Sequence, residues 1–129
     1  MLVQEIMTKK IETIKHNENV IDACNKFKEQ HLGSLVVMEN DTIVGIITER
    51  DIIERVILDE KNPKQTPVRE VMTENVKTIE SLKTIEEAVE IMKKNNIKKL
   101  PVIYNHIVVG IITEKDITHA IDMIKKYNK

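Results

Sequence analysis

The chain has 129 residues, which corresponds to one ordinary domain or to two very small units that share a core. Hydrophobic residues make up 41% of it and aromatic residues only 2%, so the core must be aliphatic and β-branched. The net charge of −1 lacks the basic excess of a nucleic-acid-binding protein, which makes such a role unlikely by composition. No apolar stretch is long enough to span a bilayer, and the N-terminus has no signal-peptide core. Cys24 is the single cysteine, which excludes an intrachain disulfide and fits a cytoplasmic protein.

The chain consists of two copies of one sequence, aligned without gaps at an offset of 65 residues. The first copy opens with Val-Gln-Glu-Ile-Met-Thr and the second with Val-Arg-Glu-Val-Met-Thr. The copies also share the segment Val-Gly-Ile-Ile-Thr-Glu-x-Asp-Ile. A polar segment with two prolines separates them. We therefore predict a first repeat over residues 1–58, a linker over 59–67 and a second repeat over 68–129.

Each copy has the same predicted elements in the same order. A short extended stretch comes first, then a helix with an apolar i, i+3, i+4, i+7 stripe, then two apolar runs around a turn, then a final helix. In the first copy these elements are residues 11–14, a helix whose stripe begins at Val20, the runs 35–38 and 43–48, and a helix from Glu49. In the second copy they are residues 76–79, a helix whose stripe begins at Ile85, the runs 100–103 and 107–113, and a helix from Glu114.

The strands are apolar at consecutive positions, which predicts that both of their faces are buried. One β-α-β-β-α unit is too small to cover both faces of its own sheet. We therefore expect an α+β fold in which two pseudo-symmetric β-α-β-β-α repeats pack sheet to sheet into one module.

The shared segment carries the pattern Gly-Ile-Ile-Thr-Glu-x-Asp at a strand-to-helix junction, ending at Asp51 and Asp116. One interpretation is structural, because Thr-x-x-Asp before an apolar run is a capping box. The other is functional, because a helix N-terminus favours phosphate and a nearby carboxylate can bind ribose hydroxyls. The two interpretations are compatible.

Paired units with Glu-Ile-Met-Thr near the start, a Leu-Pro-Val-Ile strand and Val-Gly-Ile-Ile-Thr-Glu-x-Asp-Ile resemble a tandem pair of CBS (cystathionine β-synthase type) domains, also called a Bateman module. The resemblance runs from about Val3 to Ile124. It implies a regulatory ligand such as AMP, ADP, ATP or S-adenosylmethionine, bound in clefts between the repeats.

The resemblance also assigns roles to residues. It implies that the motif Asp residues hold ribose, that the motif Thr residues contact phosphate or ribose, and that the early Thr of each copy and its neighbour line the base. The residues concerned are Thr13, Ile14, Thr48, Asp51, Thr78, Ile79, Thr113 and Asp116. The loop that enters the middle strand is expected to contribute Gly33 and Ser34 in one copy, and Lys98, Lys99 and Pro101 in the other.

Two further points remain open in the sequence. Arg50 and Lys115 occupy matching positions on the first helical turn of the last helices. They are either cations that bind phosphate or parts of a solvated helix face. Only the second copy has the basic loop and Leu-Pro-Val, so a single strong site would depend on Asp116 and the Lys98–Lys99 loop. We expect no metal and no enzyme cofactor, because no His or carboxylate ligands are grouped at metal-like spacing.

The last helices carry more apolar surface than one small core needs, and either the neighbouring repeat or a second copy of the chain would cover it. The resemblance to CBS domains implies the second, a homodimer. We expect a stand-alone sensing module, not an enzyme, that signals to a separate protein. The alternative is an interaction or dimerisation module that keeps the fold and binds no nucleotide.

Overall fold

A computed structural model describes residues 1–128, which form two compact units. Unit 1 comprises residues 1–11 and 77–128, and unit 2 comprises residues 12–76. The sequence repeats and the compact units therefore do not coincide at their ends. The first segment of each repeat packs with the body of the other repeat. Residues 1–11 of the first repeat belong to unit 1, and residues 68–76 of the second repeat belong to unit 2.

Unit 2 contains a three-stranded sheet in the order β1-β2-β3, with β1 parallel and β3 antiparallel to β2. Its elements are β1 (Thr13–Lys15), α2 (Val20–Gln30), β2 (Ser34–Glu39), β3 (Thr42–Thr48) and α3 (Glu49–Ile52), then a π-helical turn (Ile53–Ile57) and a 3₁₀ turn (Val68–Glu70). Unit 1 contains the matching sheet in the order β4-β5-β6. Its elements are α1 (Val3–Ile6), β4 (Ile79–Glu80), α4 (Ile85–Asn95), β5 (Lys99–Tyr104), β6 (Ile107–Thr113) and α5 (Glu114–Tyr127).

The predicted helices and hairpins are confirmed, and the fold is the expected mixed α+β type. In β2 and β5 three consecutive residues are buried, as the continuous apolar runs predicted. The extended stretches are shorter than predicted and lie later in the chain. The final helix of the first copy is also different: after α3 it widens into a π turn, in which Leu58 N donates to Ile53 O at 3.0 Å.

Each unit has its own aliphatic core, in which the helix after the first strand packs on the sheet. In unit 2, Val20 and Ala23 of α2 lie in one cluster with Leu35, Val37 and Ile47. The equivalent cluster in unit 1 is formed by Ile85, Ala88, Leu100, Val102 and Ile112. Within residues 1–128, none of the helices has the length and apolar character that crossing a membrane requires.

Candidate functional site

In unit 2, the predicted site segments come together at one end of the sheet. Ser34, the first residue of β2, is paired with Thr48, the last residue of β3. Glu49 N donates to Gly33 O at 3.1 Å, which joins the loop before β2 to the start of α3. Thr13 begins the parallel strand β1 at the same end, where it is paired with Val36. The start of β1, the start of β2 and the start of α3 are therefore neighbours.

Unit 1 repeats this arrangement with different side chains. Lys99 begins β5 and is paired with Thr113 at the end of β6, and Glu114 N donates to Lys98 O at 2.9 Å. Thr78 directly precedes β4, whose first residue is Ile79. Both lysines are exposed, so this end of the sheet presents two basic side chains beside the N-terminus of α5.

Both helix starts are closed by the predicted capping box. Thr48 N donates to Asp51 Oδ2 at 3.0 Å, and Asp51 N donates to Thr48 Oγ1 at 3.1 Å. In unit 1 the corresponding distances between Thr113 and Asp116 are 2.9 Å and 3.1 Å. The structural interpretation of Thr-x-x-Asp is thus confirmed in both copies.

The structure adds a partner of each motif carboxylate that the sequence did not predict. Thr73 Oγ1 donates to Asp51 Oδ1 at 2.9 Å, and Thr8 Oγ1 donates to Asp116 Oδ1 at 3.2 Å. These threonines end the repeated Glu-x-Met-Thr segments. The repetition of these threonines in both copies could have indicated a role for them. Each threonine contacts the Asp of the other repeat, so the spacing of residues within one repeat could not predict the hydrogen bond.

The two motif carboxylates differ in their surroundings. Asp51 is only 6% exposed, and Arg55 Nε lies 4.0 Å from its Oδ1. Asp116 is less deeply buried. Residue 120 is the repeat counterpart of Arg55, and it is an alanine.

The motif glycines are required by the close approach of the same Glu-x-Met-Thr segments. A Cβ on Gly45 would lie 2.5 Å from Met72 Sδ and 2.9 Å from the backbone oxygen of Thr73. A Cβ on Gly110 would meet Met7 and Thr8 in the same way, at 2.6 Å and 2.9 Å. Glycine at these positions therefore relieves crowding between the strand and the Glu-x-Met-Thr segment.

Other predicted residues have varied environments. Ile14 and Ile79 are 2% and 4% exposed and belong to the two cores, and Pro101 is buried within β5. A ligand within reach of these positions would therefore meet mainly their backbone. The side chain of Arg50 is exposed and its Nε donates to Glu54 Oε1 at 2.9 Å. That hydrogen bond, together with the charge of Glu54, raises the pKa of the Arg50 guanidinium.

Lys115 is exposed, like Arg50. The Arg50–Glu54 pair lies along one helical face, which is the geometry of a solvated surface. Among residues 1–128, no three His, Cys, Asp or Glu side chains are grouped so that they could hold a metal ion.

Comparisons with known proteins agree with this architecture. The model of the family described as "CBS domain" matches residues 3–58 and 68–123. A protein of Methanopyrus kandleri is 34% identical over 117 residues, which are 89% of this chain and 60% of that protein, so the chain spans less than two thirds of that relative.

Solved structures are similar over nearly the whole chain. A CBS-domain protein from Burkholderia ambifaria is 31% identical with a TM-score of 0.85, covering 94% of this chain and 93% of that one. A hexameric CBS-CP12 protein from bloom-forming cyanobacteria is 30% identical with a TM-score of 0.82, covering 100% of this chain and 72% of that one. The chain therefore belongs to the CBS domain family, as two CBS domains in tandem, a kind of module that is generally regulatory and ligand-binding and typically not catalytic.

Proposed function

We propose that the chain is a regulatory sensor of adenosine nucleotides or S-adenosylmethionine that signals to a separate protein. The observation that supports this is the meeting, in each unit, of a strand start, a loop and a Thr–Asp-capped helix start at one end of the sheet. The positive end of a helix dipole favours phosphate, and a carboxylate beside it can accept hydrogen bonds from ribose hydroxyls. Thr48 and Thr113 would serve the phosphate, and Asp51 and Asp116 the ribose.

The set in unit 1 should bind more tightly than the set in unit 2. Lys98 and Lys99 lie beside the start of α5, a helix of 14 residues, whereas the unit 2 loop offers Gly33 and Ser34 beside the shorter helix that continues through the π turn to Ile57. Both lysines and the longer helix favour an anionic ligand.

The surroundings of the two motif carboxylates also favour tighter binding in unit 1. Asp51 is buried and receives a hydrogen bond from Thr73 at 2.9 Å, so a ribose hydroxyl would have to displace that partner. Asp116 is less buried, and its hydrogen bonds from Thr8 are longer, at 3.2 and 3.4 Å. Exchanging Thr8 for a ribose hydroxyl should therefore cost less.

The test is calorimetry and thermal melting of the full chain with AMP, ADP, ATP, NAD and S-adenosylmethionine. A ligand at about 100 times its dissociation constant should stabilise the folded chain by about 2.7 kcal/mol. Lys98→Ala/Lys99→Ala should weaken binding of the phosphate-bearing ligands. Lys125→Ala/Lys126→Ala, which makes the same charge change at the other end of α5, should leave it unchanged. Equal losses in both double variants would contradict the site.

The transmission of the signal also has a physical requirement. A ligand shifts a conformational equilibrium only through different affinities for the two states. The regulated protein should therefore bind the chain with a different affinity when the nucleotide is present. Asp116→Ala should abolish that difference if unit 1 carries the stronger site.

One observation favours the second candidate, a dimerisation module without a ligand. Both oxygens of Asp51 already accept hydrogen bonds from Thr48 and Thr73, as a purely structural cap requires. In that case Asp51→Ala and Asp116→Ala would destabilise the chain, and no compound of the panel would shift the melting temperature of the wild-type protein.

A further inference from the structure

One position of the last helix differs chemically between the units, Arg55 in unit 2 and Ala120 in unit 1. Arg55 Nη1 donates to the backbone oxygens of Met72 at 2.8 Å and Val71 at 3.2 Å. Its Nε also lies 4.0 Å from Asp51 Oδ1. In unit 2 a guanidinium therefore joins two carbonyl groups to the motif carboxylate.

Unit 1 has the corresponding residues without the guanidinium. The counterparts of Val71 and Met72 are Ile6 and Met7, the counterpart of Asp51 is Asp116, and Ala120 has no side-chain donor. A pocket of about 510 Å³ lies here, lined among others by Ile6, Asp116 and Ala120. We call this cavity the α1–α5 pocket.

The lining of the α1–α5 pocket suits a cation on an apolar stem. Glu5 adds a second carboxylate, and Met123 and Ile124 add apolar surface. Met1 and His119 also line the pocket, and among residues 1–128 no lysine or arginine side chain does. Its volume lies within the range of small-molecule sites.

The α1–α5 pocket is better suited to a guanidinium cation than to an ammonium cation. A guanidinium presents a planar fork of donors and is weakly hydrated, so it can serve carbonyl oxygens and a carboxylate at once, as Arg55 does in unit 2. An ammonium group is a strongly hydrated point charge. Two carboxylates in the lining also disfavour a ligand with a carboxylate of its own.

We propose that the α1–α5 pocket binds a small organic guanidinium cation, with the guanidinium beside Asp116 where unit 2 places Arg55. Its apolar stem lies against Ile6 and Met123. The proposal does not depend on the proposed function, although both ligands would use Asp116, and its test is made without nucleotide.

The experiment is calorimetric titration of the full chain at low ionic strength with agmatine, which carries a guanidinium and no carboxylate. One agmatine should bind per chain. Ala120→Arg supplies the guanidinium covalently and should weaken agmatine binding at least tenfold. Cadaverine, a dication without a guanidinium, should bind wild type at least tenfold more weakly than agmatine.

Three results would overturn the proposal: no binding of millimolar agmatine to wild type, undiminished binding to Ala120→Arg, or equal affinity for cadaverine. If Ala120→Arg does not fold, Arg55→Ala gives the same information by creating a second vacated position. Saturating agmatine should then raise the melting temperature of Arg55→Ala more than that of wild type. Equal shifts would contradict the proposal.

Discussion

The hydroxyl of Thr73 lies 2.9 Å from Oδ1 of Asp51, and the two residues belong to different sequence repeats. Asp51 is buried and caps α3, so this hydrogen bond connects the end of the Glu-Val-Met-Thr segment to the motif carboxylate. Its counterpart joins Thr8 to Asp116. The same two-residue device therefore holds the start of one repeat onto the motif of the other, twice in the chain.

Replacing the threonine should be more costly in unit 2 than in unit 1. Thr73→Val leaves a buried carboxylate oxygen short of a donor and should lower the free energy of unfolding by about 1–3 kcal/mol. Thr8→Val should cost less, about 0.5–1 kcal/mol, because Asp116 is more exposed and its bonds are longer. Urea unfolding of both variants measures the difference, and a larger loss for Thr8→Val would contradict this ranking.

The motif glycines should not tolerate even a methyl group. Gly45→Ala places a Cβ within 2.9 Å of the Thr73 backbone oxygen and should destabilise the chain by about 1–3 kcal/mol. Gly33→Ala is the matched control, because its Cβ would meet only Glu49 at 3.6 Å, an ordinary contact. Thermal melting should separate the two variants clearly. Similar melting temperatures for the two variants would contradict the prediction, because they would mean that Met72 and Thr73 can move aside at little cost in stability.

A buried hydroxyl in unit 1 offers a test in the opposite direction. Ser81 is 2% exposed, and its Oγ has no hydrogen-bond partner among residues 1–128. Ser81→Ala should therefore leave the stability unchanged or raise it by up to about 1 kcal/mol. The control is Thr66→Val, which removes a buried hydroxyl that donates to Asn62 O at 2.7 Å and should destabilise. Equal destabilisation by both changes would refute this reasoning.

Self-association should depend on the π turn that follows α3. Ile53, Ile57 and Leu58 are 51%, 62% and 69% exposed in the chain, which is a large apolar surface for a monomer. We expect light scattering to give twice the chain mass, and Ile57→Asp to lower it toward the monomer. Leu82→Asp, at another exposed apolar position, is the control that should keep the dimer. A monomeric wild type at working concentration would reject the homodimer.

Cys24 should react slowly with thiol reagents. Desolvation by burial raises the pKa of its thiol, so the reactive thiolate is scarcer at pH 8 than in a free cysteine. Because the folded-state pKa is raised, the thiolate fraction of the native chain should rise only at more alkaline pH than that of the unfolded chain. Iodoacetamide labelling, followed with and without urea, should be several-fold faster in urea. Equal rates would contradict the burial argument.

Much of the fold follows from local patterns. The apolar runs around the two turns predicted the hairpins because strands buried on both faces need continuous hydrophobic residues. The helices after β1 and β4 were predicted from the stripes that begin at Val20 and Ile85, and both helices begin at those residues. These features depend on neighbours within one turn or one hairpin, which is the range that periodicity reports.

The parts that the sequence could not predict depend on distant contacts. Thr8 and Asp116 are 108 residues apart, so no local pattern connects them. The π turn was missed because the apolar stripe at Ile52, Val56 and Ile57 fits an α-helix equally well. Ala120 lines the α1–α5 pocket, and its difference from the other unit is visible only beside the arginine at the equivalent position 55.

The division of the chain into units has a consequence for folding during synthesis. Unit 2 is continuous from residue 12 to residue 76, so all of it is available once residue 76 has left the ribosome. Unit 1 needs residues 1–11, which are made before unit 2, together with residues 77–128, which are made after it. Because domains generally fold as units as they emerge, unit 2 should fold first, before residues 1–11 can pack against residues 77–128. During that interval Val3, which is fully buried in the finished unit 1, is exposed on the nascent chain.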